Sequence, residues 1–131
     1  MRELTTEELN ARLLDPTDRF WFLDVRPTED YAECHIAGAL SVPVDTLEEW
    51  AREHLKDRLA PVVVYGSQLA SPRAAEAERI LERRLGMEDV ARYLGGLAEW
   101  REGHLPLDAG EERSIRPEER PHRANELPAP F

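Results

Sequence analysis

Two short apolar runs constrain the fold of this chain more than any other feature of its sequence. Residues 20–25 are almost continuously apolar, and residues 61–65 combine three valines with a flanking proline and tyrosine. Runs of this length and composition predict strands that are buried on both faces, as in a parallel sheet. Because parallel strands need a crossover between them, we expect helices to alternate with strands along the chain.

Helix signals stand on both sides of the first predicted strand. Thr5 and Glu8 form a capping box in front of a stripe of leucines. Asp45 and Glu48 form a second capping box, and helical spacing follows it. The apolar residues that this second helix is predicted to bury are Leu47, Trp50, Ala51, Leu55 and Leu59.

A third helix is predicted after the valine-rich strand. Ser71 is a favourable N-cap, and Pro72 suits the first helical position. Gly86 is expected to end that helix. Further short elements are predicted at residues 27–33 (helix), 40–43 (edge strand), 90–94 (strand) and 97–101 (helix).

The composition changes near residue 108. Residues 1–108 carry the periodic apolar pattern of a single folded domain, whereas residues 109–131 contain four prolines, many charges and little apolar periodicity. A segment of this composition buries too little apolar surface to fold alone. We therefore predict a domain at residues 1–108 and an extended or disordered tail at residues 109–131.

Charge and cysteine content narrow the possible functions. The net charge is −10 and no basic stripe is visible, which argues against a nucleic-acid partner. No apolar run approaches the roughly 20 residues that would cross a membrane, and the first residues lack the apolar core of a signal peptide. The single cysteine, Cys34, excludes an internal disulfide, so we expect a cytoplasmic protein. The histidines share no metal-ligand spacing with Cys34, and we expect neither a metal nor a cofactor.

Four segments, in this order, resemble the signatures of the rhodanese family. They are residues 23–31, residues 34–39, residues 62–65 and residues 94–100, followed by a family-like ending at residues 105–107. Within the second segment, Cys34 stands where the family usually has glycine. The resemblance covers about residues 3–108. It implies a three-layer α/β fold in which helices flank a mostly parallel, five-stranded sheet.

The resemblance also shows what this chain lacks. In the family, a cysteine thiolate directly after the valine-rich strand accepts a sulfur atom as a persulfide. Here that position is Gly66, and an arginine that family loops often carry five residues later is replaced by Ser71. We take this loop as the candidate binding site. Its proposed residues are Gly66, Ser67, Gln68, Leu69, Ala70, Ser71 and Arg73.

Other residues of the resemblance are assigned supporting roles or none. Asp24 and Arg26 follow the first strand and are family-typical, with a structural ion pair favoured over substrate contact. Cys34 is a weak catalytic candidate, because the preceding helix should carry it away from the loop. Ser67 is the nearest hydroxyl, but no histidine matches the position of a base that would activate it.

These observations favour a catalytically inactive rhodanese-like domain that serves as a binding or regulatory module. Its partner would be a protein or a small anion, such as sulfate, phosphate or a thiosulfate-like ion, held at residues 66–73. The alternative is an enzyme, a thiosulfate sulfurtransferase that uses Cys34 or the thiol of a partner. Fold resemblance alone supports the alternative, and a fold does not determine a function.

The absence of a thiol from the loop leads to a chemical prediction. Treatment of the purified protein with thiosulfate should leave no persulfide on residues 66–73, because the loop has no sulfur acceptor. Mass spectrometry of the intact and digested protein measures the added 32 Da of one sulfur atom. A stable added sulfur on any residue contradicts the prediction.

Overall fold

The computed structural model describes residues 2–110 of the chain and consists of seven strands and five helices. The strands are β1 (Arg2–Leu4), β2 (Trp21–Asp24), β3 (His35–Ile36), β4 (Leu40–Ser41), β5 (Val62–Tyr65), β6 (Val90–Tyr93) and β7 (Leu107–Asp108). The helices are α1 (Thr6–Leu14), α2 (Thr28–Glu33), α3 (Val44–His54), α4 (Pro72–Arg79) and α5 (Gly96–Glu102). A π-helical turn, Ile80–Arg84, continues α4.

Five of the strands form one parallel sheet in the order β1-β6-β5-β2-β4. Alternate residues of its central strands face opposite apolar clusters. One cluster contains residues of α3 and α4 together with Val62 and Val64, and the other contains residues of α1, α2 and α5 together with Val63. The sheet is thus covered by helices on both faces, and the predicted three-layer α/β fold is confirmed.

The start of α1 and the edge position of β4 agree with the sequence patterns. The backbone N–H of Glu8 donates to Thr5 Oγ1 at 3.1 Å, and Thr5 N–H donates to Glu8 Oε1 at 2.8 Å, which completes the predicted capping box. Leu4 and Leu9 are both buried in the same cluster beside this helix start. Strand β4 lies at one edge of the sheet, where the proline that follows it removes no ladder hydrogen bond.

The predicted start and end of α3 are wrong. Pro43, with its φ of −54°, stands at the N-cap, so Asp45 already lies inside the first turn and caps nothing. The helix ends at His54, because residues 57–60 form a turn in which Ala60 N–H donates to Asp57 O at 3.0 Å. Leu59 is consequently 65% exposed and does not continue the buried stripe.

At α4, Pro72 takes the first helical position as predicted, but the Ser71 side chain makes no capping hydrogen bond.

Three strands lie outside the predicted strands. Strand β1 pairs with β6, where Glu3 lies opposite Arg92 and accepts from its guanidinium at 3.1 Å. Strands β3 and β7 form a separate antiparallel pair. Just beyond β7, Gly110 N–H donates to Ala32 O at 2.6 Å.

The predicted tail is described only as far as Gly110, and residues 111–131 lie outside the described residues. Within residues 2–110, no helix is both long enough and apolar enough to cross a membrane.

A buried polar network joins the carboxyl ends of β2 and β5. Asp24, fully buried, accepts from the Arg26 guanidinium at 2.8 Å and from the Tyr65 hydroxyl at 2.6 Å. The Tyr65 hydroxyl in turn accepts from Ile36 N–H at 3.0 Å, and Arg26 donates to Cys34 O at 2.6 Å. Two strand ends and residues 34–36 are therefore held together through one carboxylate.

Tyr65 and Arg26, the two side chains that donate to the Asp24 carboxylate, both stay protonated. Burial, followed by the charge of Asp24 and the hydrogen bond to it, raises the pKa of Tyr65 well above its usual value, so the phenol stays protonated. Burial alone would lower the pKa of Arg26. The hydrogen bond to Asp24 and the charge of Asp24 outweigh burial and raise the Arg26 pKa above its usual value.

We expect Tyr65→Phe to lower the free energy of unfolding by about 1–3 kcal/mol, because it leaves the buried Ile36 N–H without an acceptor and removes a donor to Asp24. Tyr93→Phe is the matched control, since Tyr93 is equally buried and the substitution deletes the same atom. Thr6, the partner of Tyr93, keeps Glu99 as a second partner, so the control should lose less than Tyr65→Phe. Urea unfolding measures both variants, and equal losses would contradict the prediction.

Candidate functional site

The loop between β5 and α4 lies at the carboxyl edge of the parallel sheet, where ligands bind in folds of this type. The segment around the start of α5 holds it in place. Leu97 N–H donates to Gly66 O at 3.0 Å, and Ala98 N–H donates to Ser67 O at 2.9 Å. Gly96 adopts a φ of +68°, and an ideal Cβ at this glycine would lie 2.7 Å from Gln68 N. Only glycine allows this close approach of backbone to backbone.

The second half of the loop forms a tight turn into α4. Ser71 N–H donates to Gln68 O at 3.1 Å, and Ala70 adopts a left-handed backbone with a φ of +55°. This conformation is unfavourable for alanine. A hydrogen bond from Ala70 N–H to Leu94 O, at 3.0 Å, helps to hold it. The turn brings Ser71 back toward Gly66, the residue five positions earlier in the chain.

Gly66 and Ser71 occupy one shared volume. Both residues are buried, and Ser71 is only 6% exposed. An ideal Cβ on Gly66 would overlap Ser71 Oγ and would lie 2.5 Å from Ser71 Cβ. The Ser71 side chain therefore occupies the position where the Cβ atom of a larger residue 66 would lie.

An open groove of about 580 Å³ lies beside this pair. It runs between the start of α3 and the start of α4. The residues that line it are Val44, Asp45, Ser67, Gln68, Ser71, Pro72, Arg73 and Glu76. Of the candidate loop residues, Ser67, Gln68, Ser71 and Arg73 reach the groove, whereas Leu69 is 66% exposed at the loop tip.

Several hydrogen-bond donors of the loop have no partner among the described residues. Among residues 2–110, no protein group accepts from the backbone N–H of Ser67, Gln68 or Leu69, or from the Ser71 hydroxyl. Groups of this kind favour a ligand that supplies acceptor oxygens. The three side-chain charges are mixed: Arg73 has no ion pair within the described part of the chain, Asp45 is exposed, and Glu76 lies 3.5 Å from Arg79. The side chains that line the groove thus carry a small excess of negative charge.

The supporting residues predicted from the sequence lie elsewhere. Asp24 and Arg26 form the buried ion pair of the network described above and do not line the groove. Cys34 ends α2, packs against the cluster formed by α1, α2 and α5, and is also absent from the groove lining. Its carbonyl, rather than its thiol, contacts Arg26.

No metal centre accompanies the groove. Across residues 2–110, no group of three or more His, Cys, Asp or Glu side chains is arranged to hold a metal ion. His35 stacks on Tyr31 with 3.6 Å between ring centroids, and His54 stacks on Trp50 at 4.7 Å. Each ring also contacts the backbone carbonyl of the residue on which it stacks. These contacts indicate a structural role for both histidines.

Four of the residues that line the groove were not among the candidate site residues. They are Val44, Asp45, Pro72 and Glu76, of which Asp45 was predicted as a cap and Pro72 as the first residue of a helix. The available signal was topological: β4 ends beside β2 at the same sheet edge as β5, so the start of α3 had to lie near the loop.

Comparisons with known proteins agree with this geometry. The profile of the rhodanese-like domain matches residues 5–103. An HTH-type transcriptional regulator of Mycobacterium tuberculosis is 39% identical over 88 residues, which are 67% of this chain and 37% of the regulator, so the match spans little more than a third of that relative. The thiosulfate sulfurtransferase GlpE of Coxiella burnetii is 33% identical over 86 residues, or 66% of this chain and 76% of GlpE.

Solved structures lead to the same family. A thiosulfate sulfurtransferase of Pseudomonas aeruginosa superposes with a TM-score of 0.73 and 30% identity, covering 84% of this chain and 20% of that one. The solution structure of a rhodanese-like domain from Anabaena gives the same TM-score at 26% identity, covering 88% of this chain and 92% of that domain. With its profile match, its relatives and its fold in agreement, this chain belongs to the rhodanese-like domain family.

Proposed function

We propose that this protein is a catalytically inactive rhodanese-like domain that acts as a cytoplasmic binding or regulatory module, with loop 66–73 and its groove as the binding site. The observation that carries the proposal is the Gly66–Ser71 pair. The chain lacks the thiol, and a second side chain fills the space in which that thiol would begin. The space beside residue 66 is thus already filled by Ser71 and does not stand empty for a thiol.

No other group near the loop offers the missing chemistry. Ser67 is exposed and lines the groove, but no histidine lines it, so neither this hydroxyl nor that of Ser71 has a base to activate it. Asp45 and Glu76 are carboxylates at the groove wall with no contact to either serine hydroxyl among the hydrogen bonds of the described residues. The loop still offers backbone N–H groups and serine hydroxyls as hydrogen-bond donors. Such donors can bind a ligand without a covalent step.

One relative supports a regulatory role. The matched part of the mycobacterial transcriptional regulator is about a third of that protein. A rhodanese-like domain in such a protein is one part of a longer regulatory chain. By analogy, the present domain would bind a protein partner or a small anion, and the bound state would regulate another protein or domain. Such a role requires no catalytic turnover.

The sulfurtransferases among the relatives favour a second candidate, a thiosulfate sulfurtransferase. That enzyme would need Cys34 or the thiol of a partner, and Cys34 lies outside the groove. A cyanide-linked thiosulfate assay separates the candidates. The binding proposal expects no turnover from the intact protein, whereas turnover that Cys34→Ala abolishes would establish the enzyme.

The Gly66–Ser71 pair leads to a graded prediction for restored chemistry. Gly66→Cys alone should unfold more easily, by about 1–3 kcal/mol, and should accept little sulfur, because its Cβ would overlap Ser71. Gly66→Cys combined with Ser71→Gly removes the overlapping atoms, so we expect a more stable protein that forms a persulfide with thiosulfate. Ser71→Gly alone is the control without a thiol at residue 66. Thermal unfolding and mass spectrometry measure the three variants, and a single variant that equals the double variant in both would contradict the pairing.

A further inference from the structure

A partly buried charged cluster joins α4 to the β1 edge of the sheet. Glu78 belongs to α4 and is only 2% exposed. Arg92 of β6 and Glu3 of β1 lie opposite each other in the parallel register. Arg92 forms an ion pair with each of these two carboxylates. A helix and an edge strand therefore share one guanidinium.

The hydrogen bonds of this cluster are unequally divided. Arg92 Nη2 donates to Glu3 Oε2 at 3.1 Å. Arg92 Nε lies 3.7 Å from Glu78 Oε1, which is too long for a hydrogen bond. Among the described residues, neither this buried nitrogen nor Glu78 Oε2 has a hydrogen-bond partner. Buried polar atoms are normally paired, so an unpaired donor and an unpaired acceptor on neighbouring, oppositely charged side chains call for an explanation.

Arg92 has two possible partners and can satisfy only one of them fully. A guanidinium and a carboxylate bond most strongly through two parallel hydrogen bonds. A pair of this kind between Arg92 and Glu78 would use Nε and Nη2, and Nη2 is the atom that now donates to Glu3. The observed arrangement, in which Arg92 is bonded to Glu3, is the one expected when Glu78 does not compete for it.

The competition depends on whether Glu78 is ionised. Burial, followed by the charge of Glu82, raises the pKa of Glu78 above its usual value. The charges of Arg92 and of the amino terminus oppose this rise, and Glu3 adds to it. A protonated Glu78 carries no charge and attracts the guanidinium much less. The other side chains that α3 and β5 contribute to the core beside α4 are apolar, namely Leu47, Ala51, Val62 and Val64.

We propose that Glu78, Arg92 and Glu3 form a proton-sensitive switch on the edge strand β1. With Glu78 protonated, Arg92 bonds to Glu3 and holds β1 against β6. With Glu78 ionised, its carboxylate draws Nη2 of Arg92 away from Glu3, and β1 loses this contact. Because the pKa of Glu78 is raised in the folded state, the contact is present below that pKa, as long as Glu3 stays ionised. It is lost as the pH rises through the Glu78 pKa.

The switch reaches the candidate loop through one residue. At the end of β1, Leu94 N–H donates to Leu4 O at 3.3 Å, and Leu94 O accepts from Ala70 N–H at 3.0 Å. Ala70 is the loop residue with the left-handed backbone. A loosened β1 therefore weakens one support of the loop. An effect on ligand binding rests on the proposed binding function, whereas the switch itself does not.

The test follows amide hydrogen exchange of the intact protein by NMR from about pH 4 to about pH 8, with each rate corrected for the pH dependence of intrinsic exchange. We expect the protection of Leu94 N–H to fall about fivefold as the pH rises, the effect of about one net hydrogen bond. The fall should share its midpoint with the titration of the Glu78 carboxyl, which the chemical shift of its carboxyl carbon records. Two different midpoints would overturn the switch.

Variants separate the role of Glu78 from other effects of pH. Glu78→Gln has nearly the same shape but cannot ionise, so Leu94 protection should stay high and lose its pH dependence. Glu78→Met is a second variant that cannot ionise, and it buries no amide group. Glu49→Gln is the control, because it removes an exposed carboxylate of α3 and should keep the pH dependence of the unchanged protein. Persistent pH dependence in both Glu78 variants would overturn the role of Glu78.

Two further amides separate a local switch from unfolding of the whole domain. Val25 N–H donates to Tyr65 O at 3.1 Å between β2 and β5, and its protection should change less than that of Leu94. Equal changes would indicate global unfolding and overturn the switch. Ala70 N–H should follow Leu94, and an unchanged Ala70 would overturn the link to the loop. Thiosulfate turnover by the intact protein would overturn the proposed binding function and leave these exchange results standing.

Discussion

The buried carboxylate of Asp24 is the interaction on which the carboxyl edge of this domain depends. It holds the guanidinium of Arg26 and the hydroxyl of Tyr65, and through them residues 34–36, in one hydrogen-bonded unit. A charge with no water around it is tolerated only when its partners are all in place, and removal of one partner leaves the others uncompensated. Tyr65 is also the residue directly before Gly66. The network therefore determines where the loop begins, although none of its charged groups reaches the groove.

Beyond that starting point, the loop is held mainly by backbone. Carbonyls of the loop accept from the N–H groups at the start of α5, and Gly96 brings the two segments into direct contact. This frame does not require a particular side chain at residue 66. Residue 66 is a glycine, and Ser71 fills the space where a side chain at that residue would begin.

The parts of the fold that could be predicted from the sequence are those with a local cause. Four short, largely apolar runs predicted four strands, and the capping box at Thr5 predicted the start of a helix. Strand β1 was missed because its three residues carry no pattern, and only pairing with β6 makes them a strand. Strands β3 and β7, with two residues each, were missed for the same reason. The start of α3 was misplaced because Asp45 and Pro43 are both favourable near a helix start, and the path of the chain after β4 decided between them.

The sequence by itself determined that residue 66 carries no thiol, since this is a matter of covalent structure and needs no fold. It also placed that residue at the end of a buried strand, because the apolar pattern before it is local and strong. Only the tertiary structure decided what fills the space beside Gly66. Gly66 and Ser71 are five residues apart, and no local pattern predicts that their side-chain volumes coincide. A turn with a left-handed Ala70, packed against Leu94 and Gly96 from a distant part of the chain, brings them together. Contacts of this kind depend on the meeting of segments in space, and sequence spacing alone does not record them.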